Sequence, residues 1–222
     1  MNRSVAILIL LLLVATALLM GGAAYTVFET EQVIITRFGR IEGKAKTEPG
    51  FYLKLPFIDQ AVVYDKRWLE WDGDPNQVPT KDKKYVWVDA YARWRITDPV
   101  QFYKRLTDEM RAQSRLDDII DGEIRNVIAN HNLIDIVRTS KRAFERADEY
   151  AGEEIDESKF LPAKGREKLT RLVLDKASLI VPDYGIELAD VQFKRVNYIE
   201  QVQTKVFDRM ISERKRIAQR FR

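Results

Sequence analysis

Residues 85–99 read YVWVDAYARWRITDP, and the hydrophobic period of this stretch changes at its end. Val86, Val88, Ala90, Ala92, Trp94 and Ile96 alternate with more polar positions, which is the two-residue period of a strand with one buried face. Thr97, Asp98 and Pro99 then offer a helix N-cap followed by proline at the first helical position, where its missing N–H leaves no bond unmade. The stretch predicts a long strand that feeds directly into a helix. Strand-forming sequence lies before it and helix-forming sequence after it, so the fold class expected is α+β.

Working backward, Thr26 to Ile96 is rich in β-branched and aromatic residues broken by Pro and Gly. Strands are expected at Glu31–Phe38, Gly50–Lys54 and Ala61–Tyr64, with turns at Glu48-Pro49-Gly50 and Leu55-Pro56 and an exposed loop from Asp72 to Pro79. Working forward, Leu116, Ile119, Ile120, Ile124, Val127 and Ile128 recur every three or four residues opposite Asp117, Asp121, Glu123 and Arg125, an amphipathic helix. A further helix is expected from Ser140 to Tyr150, then a polar loop, then a helix from Arg166 to about Ile180 stopped by Pro182. Ile186 to Val196 alternates imperfectly and reads as a closing strand. From Tyr198 to Arg222 there is no Pro or Gly, and Ile199, Val202, Val206, Met210, Ile217 and Phe221 lie near one helical face. That face is the expected oligomer interface, as the start of a coiled coil, and charging Val206 and Met210 should weaken assembly. The helix has no capping Gly or Asn and reads as cut off, so a longer parent protein is expected.

The N-terminal stretch Val5 to Ala24, VAILILLLLVATALLMGGAA, carries no charge and spans roughly 30 Å as a helix, the thickness of a bilayer's hydrocarbon core. Val5, Ile7, Leu10, Leu13, Leu18 and Ala24 are expected to belong to a transmembrane anchor over residues 1–24. A cleaved signal peptide is the rival, since Gly21, Gly22, Ala23 and Ala24 are small, but the apolar run is longer than such signals usually have. Arg3 before the run, and Glu29 and Glu31 after it, orient the N-terminus toward the cytoplasm and the bulk of the chain into the periplasm.

The chemistry of the side chains narrows the function. Among 222 residues, 37 Lys and Arg nearly balance 34 Asp and Glu, so no bulk charge attracts nucleic acid. There is no cysteine, which removes disulfides, thiolate nucleophiles and cysteine metal sites together. The lone histidine, His131, falls near the end of an amphipathic helix, where a polar side chain meets the last carbonyls, and nothing around it forms a triad. A single histidine also makes a transition-metal site poor, and no glycine pattern matches a nucleotide loop. The acidic pairs Asp117-Asp118 and Glu153-Glu154 read as solvated surface, and Trp68, Trp71, Trp87 and Trp94 as core. No catalytic, cofactor-binding or metal residue is expected.

GFYLKLPFID, AVVYDKR, VDAYARWRITDP, GIELADVQFKRVNY and FDRMISERKRIAQRFR, in this order, resemble the HflK-HflC branch of the stomatin/prohibitin/flotillin (SPFH, band 7) superfamily. The resemblance covers almost the whole chain. It implies a β-rich first SPFH subdomain at residues 25–97, an α/β second at 98–197, and a coiled-coil helix starting at 198–222. It further implies a protease modulator on the bacterial inner membrane, in contact with membrane lipids, that pairs with the HflK subunit in a cage around the membrane protease FtsH. A stomatin-like organiser of membrane lipids or channels is the alternative, and it would place the bulk of the chain in the cytoplasm.

Overall fold

The computed structural model describes residues 22–139, 165–198 and 200–220. Its strands are β1 (Ala24–Val27), β2 (Glu31–Arg37), β3 (Arg40–Lys46), β4 (Gly50–Leu53), β5 (Asp59–Asp65), β6 (Leu69–Asp72), β7 (Asn76–Pro79), β8 (Tyr85–Ile96) and β9 (Ile186–Tyr198). Its helices are α1 (Pro99–Arg105), α2 (Glu109–Ala129), α3 (Leu133–Val137), α4 (Arg166–Ala177) and α5 (Glu200–Arg220), with a short 3-10 turn at Val181–Tyr184. The helix expected at Ser140–Tyr150 and the anchor residues Val5, Ile7, Leu10, Leu13 and Leu18 lie outside the described residues. Among the described residues, no helix is long and apolar enough to cross a membrane.

The chain divides into two compact units, each discontinuous in sequence. The contiguous ranges 25–97 and 98–197 do not coincide with them, because β8 and β9 each give residues to both units.

The first unit takes residues 22–69, 94–112 and 181–187. Strand β2 is central, antiparallel to both β3 and β5, while β1 pairs with β4. Both faces of β2 are covered: Val33, Ile34, Gln32 and Thr36 are all buried. The Gln32 amide escapes an unsatisfied burial by donating to the Ile96 carbonyl at 2.9 Å. Tyr64, Trp94 and Phe102 form an aromatic core, with ring centroids 5.1 Å apart for Tyr64 and Phe102 and 6.4 Å for Trp94 and Phe102. The Tyr64 hydroxyl donates to the Thr107 carbonyl at 2.6 Å, and burial pushes its pKa up to about 12. Helix α1 starts as the sequence predicts: the Asp98 carboxylate accepts from the N–H groups of Val100 and Gln101 at 2.9 and 3.0 Å, with Pro99 at the first turn.

The second unit takes residues 70–93, 113–180 and 188–220 of the described chain. Val86, Val88, Ala90 and Ala92 of β8 are buried, as is the whole apolar stripe of α2 from Leu116 to Ile128. Full burial of each such aliphatic side chain contributes about 1.5–3 kcal/mol, which is why a two-residue period and a 3.6-residue period suffice to specify this core. The polar side of α2 is not simply solvated. Asp117 accepts from the Trp71 indole N–H at 2.7 Å and Asp121 from the Asn76 amide at 2.7 Å.

Several expectations need correction. The loop Asp72–Pro79 contains β7, which pairs with β8 from Asn76↔Val88 to Pro79↔Tyr85; only Val78 faces inward, so its alternation is too short to read. Strands β1, β3 and β6 were not expected, and β3, RIEGKAK, is mostly exposed and polar, so no apolar period marks it. Trp71 and Trp94 are fully buried, but Trp68 and Trp87 face outward, Trp68 lying under the Arg95 guanidinium at 4.5 Å. In β9 the buried face shifts from Ile186 and Leu188 to Val191 and Phe193, which explains the imperfect alternation.

Candidate functional site

One end of the first unit gathers apolar side chains that no other described residue covers. Arg37 is the register partner of Arg40 in β3 and of Asp59 in β5, so the β2–β3 turn lies beside the start of β5. The segment between β4 and β5 joins this end, and β4 pairs there with the first residues of β1 through Ala24↔Leu53. Ala24, expected to end the membrane helix, therefore opens a strand instead. The Lys54 N–H donates to the Ala23 carbonyl at 2.7 Å, so the exit of the N-terminal segment and the β4–β5 loop touch directly.

The uncovered residues are Phe38, 90% exposed, Phe57, 86%, and Leu53, 75%, with Leu55 and Ile58 partly exposed beside them. Two of them sit on strained backbone: Phe38 has φ 50° and Phe57 has φ 66°, the left-handed region that bulky side chains avoid. At Phe38 the strain follows from the two-residue hairpin, which needs positive φ at both positions, and Gly39 satisfies the second at φ 81°. Large apolar side chains clustered this way on a soluble surface would cost hydration free energy, so such patches mark contact with lipid or protein.

Asp59 holds the loop in shape. Its nearly buried carboxylate accepts from Arg37 Nε at 2.8 Å and from the Leu55 N–H at 3.0 Å, while its own N–H donates to the Leu55 carbonyl at 3.0 Å. The Arg37 guanidinium first, and the Leu55 N–H second, hold the Asp59 carboxyl below the usual carboxylate range. Because the folded pKa is depressed, the clamp is at full strength above the ordinary carboxylate pKa and is lost as pH falls through the lower folded value.

A second apolar surface lies on α5. Phe207, Met210 and Ile211 are each about half exposed, and they stand at i, i+3 and i+4 on the helix. Met210 is one of the six residues singled out from the sequence; Ile199 and Phe221 lie outside the described residues, and the side chains of Val202, Val206 and Ile217 are not described. Phe207 and Ile211 flank the stripe read from the sequence by about a quarter turn of helix, at 100° per residue.

His131 and Asp121 are each held by a neighbouring group. His131 closes α2: its Nδ1 lies 2.7 Å from the Val127 carbonyl oxygen, and its own carbonyl accepts from the Lys81 N–H at 3.0 Å. Burial, then the neighbouring Asp117, raises the Asp121 pKa, but its carboxylate is occupied by Asn76. Among the described residues, no three His, Asp or Glu side chains converge as metal ligands.

Comparison with known proteins agrees with this architecture. The SPFH domain / Band 7 family model matches residues 25–222. Protein HflC of Treponema pallidum (strain Nichols) is 35% identical, over 94% of this chain and 68% of its own length. Protein HflC of Borreliella burgdorferi is 33% identical over 88% of this chain and 62% of its own. Modulator of FtsH protease HflC of Escherichia coli (strain K12) is 28% identical over 100% of this chain and 72% of its own. The chain thus spans between 62% and 72% of the length of these relatives. With a family model that matches residues 25–222 and these three relatives each named as an HflC, the chain belongs to the SPFH domain / Band 7 family, within its HflC group.

Proposed function

We propose that the chain is a non-catalytic, membrane-anchored scaffold subunit that modulates the FtsH protease, assembling with HflK through α5 as the start of a coiled coil. The observation that carries this reading is the uncovered apolar end of the first unit, joined by the Lys54–Ala23 hydrogen bond to the exit of the apolar segment 5–24. A bilayer met at that point covers Phe38, Leu53, Leu55, Phe57 and Ile58 together, and the anchor and the loop then act as two attachments of one body. The name of the Escherichia coli relative, a modulator of FtsH, supplies the protease, and the N-terminal charge pattern supports a periplasmic placement of the bulk. Such a subunit acts by position: it forms a wall that limits which proteins reach the protease.

The chain has no cysteine, so one introduced at Phe57 is a unique attachment point for a spin label. In the full chain reconstituted into liposomes, a label at Phe57→Cys is expected to relax by collision with oxygen, which concentrates in acyl chains, rather than with a water-soluble nickel chelate. Acidification through the depressed Asp59 pKa should raise the label's mobility as the clamp on Leu55 releases, and Asp59→Ala should do so at neutral pH. Faster relaxation by the nickel chelate would place the loop in water and remove the membrane contact from the proposal.

A further inference from the structure

Beside the apolar end of the first unit lies an open cleft of about 490 Å³, lined by Gly39, Arg40, Ile41 and Gly43 of the β2–β3 hairpin and by Val100, Tyr103 and Lys104 of α1. Its charge is one-sided: two cations line it and no carboxylate does. Arg37, one residue before the hairpin turn, is neutralised by Asp59 at 2.8 Å. Arg40 and Lys104 have no such partner among the described residues. The carbonyl end of α1 accounts for a cation at Lys104, in its last turn, but not for Arg40 on another element. Two like charges facing one concavity repel each other unless an anion sits between them.

We propose that this cleft binds a phosphate group, with Arg40 and Lys104 as its charged donors. Guanidinium and ammonium groups both form charge-assisted hydrogen bonds to phosphate oxygens, and the Tyr103 phenol adds a neutral donor from the same helix. The cleft's place in the fold points to the source. Phe38 immediately precedes Gly39 and Arg40 in the hairpin and is 90% exposed among the apolar side chains of that end. If that end enters the acyl region, as the proposed function has it, the Arg40 cation two residues beyond Phe38 falls at the level of the phospholipid phosphates. The ligand is then the headgroup of an anionic lipid, bound beside the anchor, and it would fix the depth and tilt of the subunit. Free phosphate carries the same chemistry and is the other source.

The test titrates the full chain, held in non-ionic detergent micelles, with dihexanoyl phosphatidylglycerol, dihexanoyl phosphatidylcholine and inorganic phosphate, read by calorimetry. Saturable binding of the glycerol lipid is expected, weakened roughly tenfold or more by R40Q/K104Q and retained by R40K/K104R, since removing charge-assisted bonds costs at least that factor. Binding of the glycerol lipid alone assigns the site to a lipid headgroup. Equal binding of inorganic phosphate with the same dependence on the variants assigns it to free phosphate. Absence of saturable binding for all three, or undiminished binding by the glutamine variant, overturns the proposal. Because micelles replace the bilayer, that failure leaves the membrane contact at Phe57 to be judged by its own label.

Discussion

If α5 joins subunits as proposed, glutamate at both Phe207 and Met210 is expected to break the assembly into small species, seen as a fall in sedimentation coefficient of the detergent-solubilised protein. Each of these side chains is about half exposed on α5, so each has roughly 1 kcal/mol of apolar burial still to gain from a neighbouring helix. A carboxylate at the same position loses that gain and adds the cost of desolvating an unpaired charge, about 1–3 kcal/mol even where it is only partly buried. Two such changes together weaken association roughly a hundredfold or more at each contact. The surrounding charges do not rescue the variant cheaply: Arg214, Lys215 and Arg216 are exposed near Ile211, but an exposed ion pair contributes less than about 1 kcal/mol. The stability of the folded units should be unchanged, since neither side chain belongs to the buried core. An undiminished sedimentation coefficient would mean that subunits meet through another surface.

The second large effect is expected at Gly185. Its φ of 72° lies in the left-handed region, and a Cβ there would overlap the Asp98 carbonyl and come within 2.9 Å of the Phe102 nitrogen. The Gly185 carbonyl itself accepts from the N–H groups of Thr97 and Asp98 at 2.9 and 3.2 Å, so this residue is packed against the N-terminus of α1 and cannot retreat without breaking those bonds. Gly185→Ala therefore combines backbone strain of about 1 kcal/mol with displacement of a capped helix, a total loss of roughly 3 kcal/mol or more. Thermal unfolding followed by circular dichroism should show a midpoint lowered by roughly 6–12 °C. Because α1 carries Tyr103 and Lys104, the variant should also weaken phosphate binding at the cleft. A midpoint within about 2 °C of the wild type would show that α1 yields more readily than its contacts indicate.

The elements that could be read from the sequence are those whose period is sustained. Tyr85–Ile96 was legible to the residue because six inward positions alternate without a break, and the Asp98-Pro99 cap fixed where the helix begins. Strand β3 was illegible because it is held by pairing with β2 rather than by burial, and backbone hydrogen bonds leave no mark on side-chain pattern. The 3.6-residue period of α5 was legible as a helix, while Phe207 and Ile211, also half exposed, stand outside the stripe drawn from the sequence. The loop at Phe57 lay beyond sequence reasoning altogether. LKLPFID looks like a turn followed by a strand, and only the register of β2 with β5, the Asp59 clamp and the Lys54–Ala23 bond give the loop its shape and place Lys54 against Ala23. The cleft between hairpin and α1 is invisible for the same reason, since Arg40 and Lys104 are 64 positions apart and meet only in the fold.

The scaffold reading is tested most directly by the native mass of the full chain extracted from membranes with and without HflK. A complex of many subunits, formed when HflK is present, is the predicted result. A lone monomer of 25.9 kDa in both samples would contradict it.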